Sequence, residues 1–280
     1  MTTVLLTGAS GFVGRQVLRA LAARGAVVRA VARRGSVFAP EDRARIERMV
    51  TTDDLFAESA GWWARACEGV DVVVHVAWYA EPGRYVKSPL NMECLVGTLQ
   101  MARGAAQAGV RRFVGIGSCA EYDTSVGTLT VDTPLRPRSP YAAAKAAAFL
   151  ALSEWLPTQG VTFAWCRLFY LYGEGEDQRR LVPYVRSQLE AGQVAELTTG
   201  TQIRDFLDVR DAGCRIADVA LGDEEGPINV CSGVPVTVRE LVERIADEVG
   251  RRDLLAFGAR AANPFDPPCV VGVPNMVKVT

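Results

Sequence analysis

Tyr141 and Lys145 stand four residues apart in a Tyr-Ala-Ala-Ala-Lys run, a spacing that puts a phenol and an ammonium on one face of a helix. An ammonium beside a phenol is expected to lower the phenol's pKa and let it exchange a proton near neutral pH. Tyr and Lys at this spacing also recur by chance, so the pair needs support from elsewhere. Ser118 supplies it. This serine ends an apolar run that begins at Phe113, at the strand end where parallel-sheet sites open. Its hydroxyl could bond a substrate carbonyl oxygen alongside Tyr141.

A second constellation lies near the N-terminus. Thr7-Gly8-Ala9-Ser10-Gly11-Phe12-Val13-Gly14 follows the first apolar run directly and opens a helical pattern. Gly8 permits a tight turn, Gly11 lets the backbone approach a pyrophosphate, and Gly14 allows close helix–strand packing. The N–H groups of Phe12 and Val13, with Ser10 beside them, would sit at a positive helix N-terminus suited to phosphate. Three glycines also occur in purely structural turns; the strand–turn–helix context favours a dinucleotide. The second strand ends in Ala32-Arg33-Arg34, without a carboxylate for a ribose 2′-OH. Two guanidinium groups there could pair a 2′-phosphate, so NADP(H) is favoured over NAD(H). The bland alternative is a solvated turn.

These residues need a scaffold, and the chain alternates short β-branched runs with helical patterns over its first 170 or so residues. Strands are expected at Val4–Leu6, Val27–Val31, near Met49-Val50, at Val70–Val76, Arg112–Gly117 and Val161–Phe169. Helices are expected at Arg15–Arg24, about Pro89–Ala108 and Tyr141–Leu156. Such alternation argues for a doubly wound parallel sheet with helices on both faces. After Gly173 the pieces shorten: a helix at Leu181–Ala191, an extended Phe206–Val209, a strand at Pro227–Val230, and a helix at Thr237–Val249 whose Thr237 and Glu240 form a capping box. From Asn263 onward no periodicity is visible. The expected division is a cofactor-binding core over 1–172, with segments near 204–231 returning to it, and a substrate lobe from 173–203 and 232–280.

Composition narrows the classes. Hydrophobic residues at 49% and charged residues at 22% describe a soluble globular chain, and a net charge of −1 offers no field for nucleic acid or anionic lipid. No apolar run reaches the ~18 residues of a membrane span. Met1 runs into Val4-Leu5-Leu6 without the pattern of a secretory leader. Seven scattered cysteines without a CxxC pair fit reduced thiols in a cytoplasm better than disulfides or zinc. One histidine, His75, leaves no basis for a histidine metal centre, and its place at the end of an apolar strand favours a packed core role. Cys119 reads as a small buried filler, and Trp62-Trp63 as core anchors on a helix.

The glycine-rich turn, Ser118 and Tyr141-x-x-x-Lys145 together resemble an extended short-chain dehydrogenase/reductase, and more narrowly the NAD-dependent epimerase/dehydratase branch acting on nucleotide sugars. Asp54-Leu55, Val76-Ala77, Arg167–Gly173, Arg204–Val209 and Asn229–Gly233 extend the similarity over nearly the whole chain. The resemblance implies a Rossmann-type core with Tyr141 as general acid/base, Lys145 on the nicotinamide ribose, and Ser118 orienting the carbonyl. It also implies Asp54 at the adenine amine, Leu55 against the ring, and Val76, Ala77 and Trp78 lining the groove. Phe169 is expected near the nicotinamide, and Arg204 at a sugar nucleotide's diphosphate.

Departures shape the expected activity. The acid–base Asp-Glu pair that follows the catalytic hydroxyl in the family's 4,6-dehydratases is here Cys119-Ala120, with Glu121 one residue late, which argues against dehydration. Cys94 stands where relatives carry an active-site Asn, with Asn91 one turn earlier as a possible substitute, and Tyr170 replaces an Asn that touches substrate. The expectation is an NADPH-dependent reductase of a nucleotide-activated 4-keto-6-deoxy sugar. The alternatives are an epimerase with retained NAD and a non-catalytic NADP sensor. The helix with Phe149, Leu152 and Trp155 reads as simple core, and the resemblance implies that the corresponding helix also packs across a homodimer.

Overall fold

The structure is a computed structural model that describes residues 1–263 and 266–275. The first half runs β1 (Thr3–Thr7), α1 (Phe12–Ala23), β2 (Val27–Arg33), α2 (Pro40–Arg43), β3 (Ile46–Thr52), α3 (Ala60–Ala66), β4 (Val72–His75), α4 (Leu90–Gln107) and β5 (Arg112–Ser118). There follow β6 (Thr128–Leu129), α5 (Pro140–Thr158), β7 (Thr162–Leu168), β8 (Tyr170–Tyr172), α6 (Leu181–Glu190) and β9 (Ala195–Leu197). The chain continues with β10 (Ile203–Asp208), α7 (Val209–Leu221), β11 (Gly226–Val230), β12 (Pro235–Thr237), α8 (Val238–Val249), β13 (Leu255–Phe257) and β14 (Cys269–Gly272).

Seven parallel strands in the order β3-β2-β1-β4-β5-β7-β11 form the central sheet. The chain therefore winds outward in both directions from β1 and β4, the Rossmann arrangement that opens a crevice at their carboxyl ends. Side-chain alternation builds two cores. Val4, Leu6, Val72 and Val74 face α1 and α7, where Val17, Leu18, Leu21 and Ile216 complete one layer. Leu5, Val73, Phe113, Phe163 and Trp165 face α3, α4 and α5, joined by Trp63, Met101 and Leu152. Of the tryptophan pair, Trp63 is fully buried and Trp62 only partly, because neighbours on a helix point about 100° apart.

A second sheet, β12-β10-β14-β6 with β8 paired to β10, lies beyond the carboxyl edge. Helices α6 and α8 with β9 and β13 enclose a separate small core around Val185, Leu189, Val242 and Ile245. The capping box of α8 is present: Thr237 Oγ1 accepts from the Glu240 N–H, and Glu240 Oε2 from the Thr237 N–H.

Two elements differ from expectation. Helix α7 follows β10 immediately; Asp208 caps it by accepting the Arg210 N–H at 2.8 Å, and Val209, Ala212, Ile216 and Val219 form its buried stripe. Its interleaved Arg and Asp residues obscure that stripe in the sequence. The segment after Asn263, aperiodic in sequence, contributes β14, whose four residues are too few to show alternation and which is paired on both sides. No described helix is long and apolar enough to cross a membrane.

Candidate active site

The sequence-marked residues gather along the carboxyl edge of the central sheet. Gly8 has φ +73°, and a Cβ there would lie 2.8 Å from the Ala77 nitrogen; at Gly14 it would lie 2.0 Å from the Gly8 carbonyl oxygen. Both glycines are thus demanded by close backbone approach. Gly11 is exposed and starts α1 without a side-chain cap or an acidic residue in the first turn. The first-turn N–H groups at Phe12 and Val13 therefore keep their capacity for an anion, and this turn fits a dinucleotide's pyrophosphate.

At the tips of β2 and β3, where the adenosine end is expected, Arg34, Thr52, Asp53, Asp54 and Glu58 line a cleft of about 340 Å³. Arg34 Nε donates to Asp53 Oδ1 at 2.7 Å, while Arg33 is exposed and makes no ion pair among the described residues. The two arginines are therefore not equivalent. Asp54 Oδ1 accepts the Phe56 N–H, and Leu55 is buried in the core rather than open to a ring.

His75, at the end of β4, has no catalytic exposure. Thr98 Oγ1 donates to the Cys94 carbonyl, so His75 Nε2–H donates to Thr98 and Nδ1 accepts from Thr7 Oγ1, each at 2.9 Å. Burial, and then the Lys145 charge, pulls its pKa down to about 3. Thr7 Oγ1 also accepts the Ala77 N–H, so this chain ties β1 to the groove-lining segment Val76–Trp78.

At the catalytic end, Ser118 closes β5 and caps a 3₁₀ turn, Cys119–Glu121. Its Oγ accepts the Ala120 N–H at 3.2 Å, and Glu121 Oε1 accepts the Ser118 N–H at 2.7 Å. Ser139 caps α5, with Pro140 in its first turn, and thereby sets the entry of Tyr141 and Lys145. Burial is the largest influence on Tyr141 and pushes its pKa up, reinforced by Tyr85, while the Ser118 hydroxyl acts in the opposite direction. This corrects the expectation of a phenol acidified by Lys145. The Lys145 Nζ instead donates to the Ile116 carbonyl at 2.5 Å and lies 3.7 Å from the centroid of the Trp78 ring. Burial lowers the Lys145 pKa, with Glu121 and Cys94 opposing.

Several neighbours escaped the sequence reading. The Tyr85 ring meets Tyr141 edge-on at 4.8 Å, and Phe56 meets both His75 and Trp78. Asn91 does not act as a replacement active-site amide: its Oδ1 accepts from Trp78 Nε1, and its Nδ2 donates to the Tyr85 and Ser88 carbonyls. Cys94 Sγ takes the Tyr79 N–H, and burial raises its thiol to about 11. Cys119 is buried and raised to about 12, consistent with an inert filler. Glu121 is fully buried and bound to Arg167 Nε at 2.8 Å, so it offers no carboxylate to a substrate. The Ser-x-x-Glu spacing of a capping box was the signal for that role.

The residues expected at the nicotinamide and the substrate are also engaged. Phe169 packs with Cys231, Tyr122 and Val270 rather than standing in an open groove. Arg204 is almost fully buried, donating to Asp266 Oδ1 at 2.6 Å and to the Ile203 carbonyl, with Tyr170 as an aromatic shelf 5.2 Å away. Among the described residues no His/Cys/Asp/Glu group could hold a metal, and all seven cysteines are unpaired.

The geometry has parallels in known proteins. The chain is 25% identical over 271 residues to a dTDP-6-deoxy-L-talose 4-dehydrogenase (NAD(+)) of Aggregatibacter actinomycetemcomitans, covering 96% of this chain and 98% of that one. It is 29% identical to a dTDP-6-deoxy-L-talose 4-dehydrogenase (NAD(P)(+)) of Kitasatospora kifunensis, over 88% of this chain and 79% of that one. DesIV, a dTDP-glucose 4,6-dehydratase of Streptomyces venezuelae solved with NAD bound, superposes with a TM-score of 0.82 at 25% identity, covering 98% of this chain and 88% of its own. Residues 4–231 match the model of one family, and that span holds the glycine turn, Ser118, Tyr141 and Lys145. With the family model matched over residues 4–231, the chain belongs to the NAD-dependent epimerase/dehydratase family.

Proposed function

We propose that this protein is an NADPH-dependent reductase of a nucleotide-activated 4-keto-6-deoxy sugar. The observation that carries the reading is that the Ser118 hydroxyl, at the end of β5, acts directly on the Tyr141 phenol of α5, with Cys119 and Ala120 in place of an acid–base pair. The talose dehydrogenase relatives support a 4-position carbonyl/alcohol couple. Arg33, which makes no ion pair among the described residues, supports NADP(H).

Held at the Gly8–Gly14 turn, a nicotinamide dinucleotide would supply the hydride for the sugar carbonyl carbon. The Ser118 hydroxyl, whose oxygen already accepts from Ala120, keeps its proton for the carbonyl oxygen. Tyr141, its pKa raised by burial, holds its proton at neutral pH and delivers it to the developing alkoxide. Lys145 adds positive charge beneath the same edge, and Gly8, Gly11 and the α1 N-terminus hold the pyrophosphate. Arg33 takes the 2′-phosphate and Arg204, released from Asp266, the substrate diphosphate. The thiols suit a cytoplasmic setting. The exposed Met92 and Val96 on α4 and Leu150 on α5 support a homodimer.

The test is turnover of dTDP-4-keto-6-deoxyglucose with NADPH. The Tyr141→Phe variant is expected to lose about 10²- to 10⁴-fold in kcat; full turnover by that variant removes the assignment. NAD-bound structural neighbours favour a second reading, a nucleotide-sugar epimerase. Stoichiometric NAD⁺ released on denaturing the purified protein would move that reading to first place.

A further inference from the structure

We infer that Asn91 is a positioning residue of this site: its buried amide holds one aromatic ring against the Lys145 ammonium and a second against the Tyr141 phenol. The inference rests on the reductase reading for the roles of Tyr141 and Lys145, while the contacts behind it are independent of that reading.

Asn91 lies in the first turn of α4 and has no exposed surface. Its Oδ1 accepts from Trp78 Nε1 at 2.9 Å, and its Nδ2 donates to the Tyr85 carbonyl at 2.7 Å and to the Ser88 carbonyl at 2.9 Å. These partners fix the amide's orientation, because a flipped amide would set its NH₂ against the indole N–H and its oxygen against two carbonyls. An ionised carboxylate offers no donor for those carbonyls, and a hydroxyl only one. The amide thus joins the segment after β4 to the 3₁₀ turn Tyr85–Lys87. The same face of α4 continues the tether: Cys94 Sγ takes the Tyr79 N–H, and Thr98 Oγ1 meets His75 Nε2.

Both tethered residues border the reacting pair. The Trp78 ring centroid lies 3.7 Å from Lys145 Nζ, and the ring meets Tyr141 edge-on at 6.5 Å. The Tyr85 ring meets Tyr141 edge-on at 4.8 Å. Phe56 backs Trp78, with ring centroids 6.3 Å apart, and the Ile116 carbonyl holds Lys145 Nζ. Trp78 lies outside every strand and helix, and Tyr85 sits on a three-residue turn. Neither ring therefore has a regular element of its own to hold it, and Asn91 lends both the rigidity of α4. Rings packed against the phenol and the ammonium restrict their rotamers, and a proton donor held in place keeps a proximity advantage that a loose one loses.

The chain has three lysines, Lys87, Lys145 and Lys278, so NMR of ¹³C-lysine-labelled protein resolves Lys145, assigned with Lys87→Arg and Lys278→Arg. The Trp78 face shifts the Lys145 Hε signals upfield, and Asn91→Ala is expected to return them toward the Lys87 values. With dTDP-4-keto-6-deoxyglucose and NADPH, the same variant is expected to lose about ten- to hundredfold in kcat. In a Trp78→Phe/Tyr85→Ala background, where both rings are already altered, adding Asn91→Ala should cost no further kcat. Unmoved Lys145 signals in folded Asn91→Ala overturn the inference. A lower Tm with wild-type kcat, or a kcat loss that persists undiminished in the double background, overturns it as well and marks Asn91 as a packing residue only. Trp78→Phe and Tyr85→Ala alter half-buried side chains and keep the test decisive if Asn91→Ala does not fold: wild-type kcat in both overturns the inference. Failure of the reductase reading is separate: Tyr141→Phe turns over normally, yet the Lys145 signals still move in Asn91→Ala.

Discussion

The two ends of the proposed cofactor groove use charge in opposite ways. At the adenosine end, Arg34 and Asp53 form an ion pair whose side chains are 71% and 81% exposed. At the catalytic end, Arg167 and Glu121 form one whose side chains are 1% and 0% exposed. Water and salt screen the first pair, so it contributes little to stability and can rearrange around a phosphate. Nothing screens the second, and removing one partner leaves an uncompensated charge in a packed core. The lesson is a division of labour: exposed charges on short tips can set cofactor preference, while buried charges on strands hold reacting groups still.

Backbone packing between the two ends gives the largest expected effect. Gly14→Ala drives a methyl group onto the Gly8 carbonyl, a backbone atom that cannot move aside. A loss of about 3 kcal/mol in unfolding free energy, and of dinucleotide binding, is expected by denaturant melts and calorimetry. Unchanged binding would show that the turn can relax.

An effect of intermediate size comes from His75, buried at the end of β4. Its pKa falls from 6.5 to about 3 in the fold, so the unfolded chain binds a proton that the folded one refuses. Stability is fully present above pH 6.5 and declines as the pH falls below it, by about 1.4 kcal/mol per pH unit at the steepest. Melting curves between pH 7.5 and 5 should show a slope that His75→Gln removes. An unaltered slope in that variant would assign the acid sensitivity to other groups.

The smallest effects belong to the exposed end and sharpen the contrast. Arg33→Ala should weaken NADPH about tenfold and leave NADH nearly unchanged, with the preference shrinking in high salt. Arg34→Ala should cost only a few-fold, because Asp53 already engages that guanidinium. Equal losses for both variants in calorimetry would show that the Asp53 pair opens on binding.

Much of this was legible in the residues. Short β-branched apolar runs marked the strands of the central sheet, and the Gly-rich turn and the Tyr141–Lys145 spacing marked the two ends of the proposed groove, because local backbone geometry sets these patterns. Helix α7 escaped because its buried stripe is interleaved with Arg and Asp, and β14 because four residues show no period. Glu121 carried a local signal, the Ser-x-x-Glu box, that its resemblance to a displaced catalytic carboxylate obscured.

The sequence by itself determined the winding of the sheet, the place of the dinucleotide turn and the helix face shared by phenol and ammonium, all consequences of short-range periodicity and glycine stereochemistry. Only the tertiary structure decided the charge environment of those groups. Burial raised Tyr141, Trp78 covered Lys145, Asp266 took Arg204, and Gly115 and Gly117 opened the space in which Glu121 meets Arg167. Those outcomes depend on desolvation and on partners more than 60 residues away in sequence, and neither is encoded in local spacing.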